Sequence, residues 1–266
     1  MRMFFIWLIA IIITLGAAYY QRTTGPTYPK RTELVQNGKT IKMSFPRSEG
    51  QKDCAVTIPS EIEGKAVLYF KRYKVDEPFQ AIEFTVVDKY QKALLPKQPP
   101  AGKLEYFVEL DNNGAKEKLT GEDNIIIRYK GDVPPFILIP HIFLMFFAML
   151  LSNMTGLLVI ARKQVFYKYL WVTVVFIFLG GMIMGPIVQK YAFGEFWTGI
   201  PFGWDLTDNK TLIAFVFWWI ALLGNLKKRR PYLALVASIV TIIIFSIPHS
   251  MFGSELNYET GVISQG

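Results

Sequence analysis

Phe136-Ile-Leu-Ile-Pro-His141-Ile-Phe-Leu-Met-Phe-Phe-Ala-Met-Leu-Leu-Ser-Asn-Met-Thr-Gly-Leu-Leu-Val-Ile-Ala161 contains no Asp, Glu, Lys or Arg. The hydrocarbon core of a bilayer is about 30 Å thick and is crossed by ~20 apolar residues of helix. This run therefore reads as a membrane span. Four more apolar runs approach the same length: Met3–Tyr20, Tyr169–Val188, Leu212–Leu226 and Leu233–Pro248. The fourth in chain order, Leu212–Leu226, is expected to gain a turn from the loop before it. Composition agrees: 52% of the 266 residues are hydrophobic and the mean hydropathy is +0.28. That is too apolar for an ordinary water-soluble domain.

The net charge of +8 is a matter of placement. Arg2 precedes the first run. Arg162, Lys163 and Lys168 separate the second and third. Lys227, Lys228, Arg229 and Arg230 separate the fourth and fifth. These are alternate connections, so all fall on one side. Cytoplasmic loops carry the Lys/Arg excess, which makes that side the cytoplasm. Residues 21–133 hold 19 Lys/Arg against 16 Asp/Glu, only +3 by subtraction. The basic balance thus records topology and does not point to a nucleic-acid partner.

The expected fold is an α-helical integral protein of the inner (plasma) membrane, multi-pass, with five transmembrane helices and an inserted, all-β, sandwich-like extracytoplasmic domain. Residues 1–20 form an N-terminal anchor, read as uncleaved although Gly16-Ala17-Ala18 also suits a signal peptide. The N-terminus is cytoplasmic. Residues 21–133 form the outside domain, 134–250 a four-helix membrane domain with an external aromatic loop at 190–210, and 251–266 an external tail.

Within the outside domain, Ala66–Phe70, Ala81–Val87, Leu104–Leu110 and Ile125–Tyr129 are rich in β-branched and aromatic residues and read as strands. Thr40–Phe45 and Ala55–Ile58 are weaker candidates. Turn signals such as Asp111-Asn-Asn-Gly114 divide them. The domain contains no histidine and no nucleophile-elbow serine, so it reads as a module for a protein partner outside the membrane, not as an enzyme. Its lone Cys54 has no disulfide partner and is expected as a small, half-buried strand residue.

The chain has two histidines, His141 and His249, and the topology puts both at the outer face. His141 opens an inward-going helix and His249 closes an outward-going one. Neutral imidazole is the commonest metal ligand. Between them runs Phe193-Gly-Glu-Phe-Trp197-Thr-Gly-Ile-Pro-Phe202-Gly-Trp204-Asp205-Leu-Thr-Asp208. An aromatic belt would explain the rings but not the glycines. Asp208 is the expected N-cap of the next helix. Asp205 is then left as a loop-stapling acceptor or a polar contact at a site. Ser152, Asn153, Thr155 and Gly156 fit close helix packing, and Gly180-Gly181 with Gly185-Pro186 suggest close packing or a kink. Zinc wants more ligands than two histidines. A pump or channel would want charges in mid-helix, and a membrane enzyme a nucleophile–base pair or a carboxylate cluster; neither pattern appears.

The loop resembles the tryptophan-rich WWD segment of the haem-handling membrane proteins of cytochrome c maturation, roughly W-G-x-W-W-x-W-D before a transmembrane helix. With Trp204-Asp205 on the final W-D pair, Gly199 matches the family glycine. Thr198, Pro201 and Phe202 stand where that family has tryptophans. The order of external histidine, two helices, aromatic loop, two helices and second external histidine also agrees. The resemblance spans about residues 136–250. It implies a haem at the outer surface, His141 and His249 as axial ligands to the metal, and Trp197, Phe202, Trp204 and Asp205 lining it. The other expectation is a non-enzymatic membrane assembly or scaffold subunit whose β domain docks a partner.

Overall fold

The computed structural model describes residues 2–248, 251 and 253–265, and the chain divides into two units. The first comprises Met1–Pro26, Val133–Ser254 and Gln265–Gly266, and the second Thr27–Asp132 and Glu255–Ser264.

The first unit is built from helices: α1 (Met3–Thr24), α2 (Pro135–Ile160), α3 (Phe166–Ile177), α4 (Gly185–Phe193), α5 (Leu206–Gly224) and α6 (Pro231–Ser246). A π-helical stretch, Phe178–Met184, joins α3 to α4 without a break. Four helices are long and apolar enough to cross a membrane: α1, α2, the continuous Phe166–Phe193 and α5. The fifth expected span is shorter. α6 has 16 residues, roughly 24 Å at 1.5 Å per residue. The residue before a proline is pushed out of the helical region; accordingly Ile247, before Pro248, is extended and ends the helix.

The helical unit has an apolar core that encloses several polar groups, and its surface is apolar as well. Thr14, Asn153, Thr155, Thr173, Ser238 and Thr241 are buried. Phe4, Ile12, Leu15, Phe136, Ile139 and Ile243 are exposed. The polar groups bind one another or helix carbonyls. Asn153 Nδ2 donates to Thr14 Oγ1 (2.8 Å), tying α2 to α1. Ser238 Oγ donates to the Ser152 carbonyl (2.9 Å), tying α6 to α2. Trp218 Nε1 donates to Thr241 Oγ1 (2.8 Å), tying α5 to α6.

The π stretch has a local cause. Pro186 lacks an N–H, and its ring would strike the carbonyl four residues back in a regular helix. The chain widens, and Gly185 N–H bonds back to the Gly180 carbonyl, five residues earlier. Gly180 and Gly181 make room for neighbours. A Cβ on Gly180 would lie 2.8 Å from Leu144 Cβ of α2, and one on Gly181 would lie 2.6 Å from Thr211 Cγ2 of α5. The glycines thus give both a wide turn and close packing.

The two basic connections meet at one end of this unit. The Arg229 guanidinium stands 3.4 Å from the centroid of the Tyr167 ring at the start of α3. Asn225 ties the α5–α6 connection, accepting from Arg230 N–H (2.7 Å) and donating to the Ala221 and Arg230 carbonyls (2.8 and 3.0 Å).

The second unit is β-rich. β1 (Lys30–Gln36) and β2 (Lys39–Phe45) form a hairpin turned by Asn37-Gly38, both at positive φ, the conformation a two-residue hairpin turn requires. Then follow β3 (Ser48–Glu49), β4 (Cys54–Pro59), β5 (Lys65–Arg72), β6 (Gln80–Glu83), β7 (Thr85–Val87), β8 (Tyr90–Leu95), β9 (Lys103–Asn112), β10 (Ala115–Lys118) and β11 (Ile125–Tyr129). The largest sheet runs β3-β11-β9-β5-β6, with β10 also on β9. β4-β8-β7 make another. Alternate residues face inward, as in β9, where Leu104, Tyr106, Val108 and Leu110 are buried. One hydrophobic cluster draws on Ile41, Val56, Leu68, Leu95, Leu104 and Ile127, and so on the hairpin and on both of the larger sheets. The expected strand Ala81–Val87 divides at Phe84: β6 pairs with β5 and β7 with β8.

Cys54, expected half-buried, is fully enclosed at the start of β4. Burial first, and the neighbouring Glu49 second, push its thiol up to about 12. The tail forms a two-stranded sheet of β12 (Ser254–Leu256) and β13 (Ile263–Gln265).

Candidate functional site

His141 lies in the second turn of α2 and is half-buried. Its Nδ1 is 3.0 Å from the Gly180 carbonyl, the same oxygen that receives the π-helical bond from Gly185. A carbonyl only accepts, so Nδ1 carries the hydrogen and Nε2 keeps its lone pair in the neutral ring. A Cβ on Gly185 would come within 3.9 Å of His141 Cε1. The imidazole is therefore turned toward the helices and held there by the π stretch.

His249, the second expected ligand, lies outside the described residues; its neighbour Pro248 is described. The end of α6 receives side chains from two other helices. Gln21 Nε2 of α1 donates to the Phe245 carbonyl (2.6 Å) and the Ile247 carbonyl (3.4 Å). Lys210 Nζ of α5 donates to the Ile247 carbonyl (2.9 Å) and the Pro248 carbonyl (3.4 Å). The last carbonyls of a helix have no partner within it, and these two side chains supply one. Lys210 is only 2% exposed. One layer of packed contacts thus runs from His141 through Gly180 and Gly181 to Thr211, Lys210 and Pro248.

The aromatic loop is fixed from beneath by the first turn of α5, and here the expected roles of two aspartates are exchanged. Asp208 was the expected N-cap, but Asp205 holds that position, accepting from Thr207 N–H (2.8 Å) and Asp208 N–H (3.3 Å). Asp208 staples the loop: its Oδ2 accepts from Thr198 N–H (2.6 Å), Gly199 N–H (3.1 Å) and Thr198 Oγ1 (3.3 Å). The physical reason is reach. Asp205 stands at the last extended residue, where a short side chain meets the N–H groups two and three residues on. Asp208, already helical, points back to the strand of loop running past it. Asn209 Oδ1 adds a bond from Ile200 N–H (2.8 Å). Both carboxylates are buried, so Asp205 acts as the cap and is enclosed by the protein.

The rings divide in the same way. Trp197 is half-buried and spends its Nε1–H on the Ile200 carbonyl (3.1 Å). Phe202 and Trp204 stand out, at 82% and 71% exposure. The turn beneath them is closed by bonds from Phe202 and Gly203 N–H to the Gly199 carbonyl and from Asp205 N–H to the Thr198 carbonyl. Two large rings are thus offered outward by a rigid base.

Among the described residues, no group of three His, Cys, Asp or Glu is arranged to hold a metal ion. The described residues supply one histidine with a directed ring, two presented aromatic rings, buried Asp205, Asp208 and Lys210, and the half-buried Gln21. The last two were not anticipated. The available signal was a lysine and a glutamine at the polar ends of apolar runs, where snorkelling is the usual expectation. Neither the protein-family models nor the curated proteins with which the chain was compared match it.

Proposed function

We propose that the chain is a multi-pass protein of the inner (plasma) membrane that binds haem at the outer face and passes it, or its electrons, to a partner outside. The apolar outer surface of the helices supports a bilayer environment, since it would be a large exposed apolar patch in water. α6 with Ile247 and Pro248 makes a fifth crossing; non-helical backbone at membrane depth is tolerated where protein donors satisfy it, as Gln21 and Lys210 do. The positive-inside rule puts the adjoining basic connections in the cytoplasm and the sandwich-like β unit outside.

The observation that carries the haem reading is the His141–Gly180 hydrogen bond. A ligating histidine ordinarily donates its other ring N–H to a carbonyl or carboxylate, which fixes the ring and raises its basicity. His141 has that arrangement before any ligand binds. Haem, when bound, supplies an iron that cycles between ferrous and ferric states. His141 would hold it through Nε2, His249 would be the second ligand, and Phe202 and Trp204 would cover its apolar faces. The likeness to the WWD proteins belongs to the same proposal. Asp205 has its part beneath the loop, as the cap.

The second reading, a scaffold subunit that docks a partner through its β unit, is favoured by one observation: Asp205, Asp208 and Lys210 are spent on the chain's own backbone. An absorption spectrum of protein in mild detergent, oxidised and reduced, separates the two. A Soret band that weakens in His141→Ala and His249→Ala is expected. Protein that stays colourless when haem is supplied would sink the haem reading and leave the scaffold.

A further inference from the structure

Glu255–Tyr258 lie against Gln98–Lys103 of the same β unit. Leu256 N–H donates to the Ala101 carbonyl (3.0 Å). The Glu255 carboxylate takes one ammonium on each oxygen, Lys103 at 2.5 Å and Lys74 at 2.9 Å. Three residues on, the Tyr258 hydroxyl is 2.9 Å from the Lys103 carbonyl and 3.1 Å from Gln98 Oε1, and the Arg72 guanidinium stands 5.5 Å from its ring centroid.

The seat is shaped for this segment. A Cβ on Gly102 would lie 3.0 Å from the Tyr258 hydroxyl and 2.9 Å from both Gln98 Cβ and the Pro99 carbonyl oxygen, so a larger residue there would crowd out the phenol. Lys103 is largely buried, and burial works against its charge strongly enough to hold its ammonium below the usual lysine range despite Glu255. Lys74, more exposed, is raised by its hydrogen bond to Glu255. Without a carboxylate, two ammoniums would face one another with Arg128 near by, one of them half out of water. A buried cation left without its partner is costly, so this seat favours an occupant that is anionic.

We propose that Lys74, Gln98, Gly102 and Lys103 form a recognition site for a segment carrying a carboxylate and, three residues later, a tyrosine; that Glu255–Tyr258 is its resident ligand; and that a segment of the same chemistry on another protein takes the site by displacing the tail. Every group involved lies in the β unit, so the site stands apart from the haem reading.

The test uses the full chain in detergent and a fluorescent peptide of residues 254–264, read by anisotropy. In a Glu255→Gln/Tyr258→Phe chain the tail's hold is weakened. That chain is expected to bind the peptide at least about tenfold more tightly than wild type, with affinity falling as salt rises. A peptide with Gln in place of its first glutamate should bind about tenfold more weakly. Adding Lys74→Gln, at an exposed position, should weaken the native peptide equally without disturbing the fold. Equal binding to wild type and the double variant, or indifference to the glutamate, would overturn the proposal. So would a tail that stays protected from protease in the double variant, because the two contacts would then not be what holds it.

Discussion

Asp208→Ala removes the acceptor on which the aromatic loop rests. Two backbone N–H groups, Thr198 at 2.6 Å and Gly199 at 3.1 Å, lose their partner in a buried place. Leaving a buried donor unsatisfied costs about 1–3 kcal/mol, and with some relaxation the pair costs roughly 3 kcal/mol. For a chain of this size 1 kcal/mol moves the unfolding midpoint by about 2–4 °C, so the expected loss is about 6–12 °C. Asp205→Ala removes a helix cap, worth about 1 kcal/mol, and should lower the midpoint by about 2–4 °C. Asp208→Asn keeps an acceptor and loses the charge that strengthens two N–H bonds, which costs about 1 kcal/mol for each, roughly 2 kcal/mol together, and places it between the other two. Thermal unfolding in mild detergent reads all three, followed by tryptophan fluorescence, since Trp197 and Trp204 report on the loop itself. The reasoning fails if Asp205→Ala is the more damaging change, or if Asp208→Ala shifts the midpoint by less than about 2 °C.

Gly181→Val should separate the π stretch from α5, because its Cβ would lie 2.6 Å from Thr211 Cγ2; overpacking of this kind costs about 1–3 kcal/mol, and an unchanged midpoint would refute the close approach. Cys54 should resist thiol reagents at pH 8 in the folded protein and react fully in denaturant, since its thiol is enclosed and pushed up to about 12; rapid labelling of the native chain would contradict this. The tail should loosen in acid. Burial opposes ionisation of Glu255, but hydrogen bonds from Lys103 and Lys74 outweigh it and hold the carboxyl below its ordinary range. That stabilisation is complete above the ordinary carboxyl range and is lost as pH falls through the depressed value. Hydrogen exchange over residues 254–264, corrected for intrinsic rate, should show the loss, and Glu255→Gln should abolish its pH dependence.

The long apolar helices were legible because a run such as Phe136–Ala161 has no charged residue to interrupt it. The π stretch was half legible: Gly180-Gly181 and Gly185-Pro186 announced an irregularity, but which carbonyl would be released depends on where α2 lies. The strands with apolar inward faces, such as Leu104–Leu110 and Ile125–Tyr129, were readable by alternation. β8, Tyr-Gln-Lys-Ala-Leu-Leu, and β1, with its charged outer face, were not, since neither alternates cleanly between apolar and polar residues; β1 is held by its hairpin partner β2 and β8 by β7 and β4. The exchange of Asp205 and Asp208 was illegible for a related reason. Both suit a cap chemically, and only the path of the loop from Thr198 to Gly199 decides which one it needs.

The end of α6 bears on how the helical unit closes. Its final carbonyls are completed by Gln21 of α1, 224 residues away in sequence, and by Lys210 of α5. A helix of 16 residues thus depends on two others for the partners of its last turn. Completion of that helix end and closure of the helical unit become one event, which joins α1, α5 and α6.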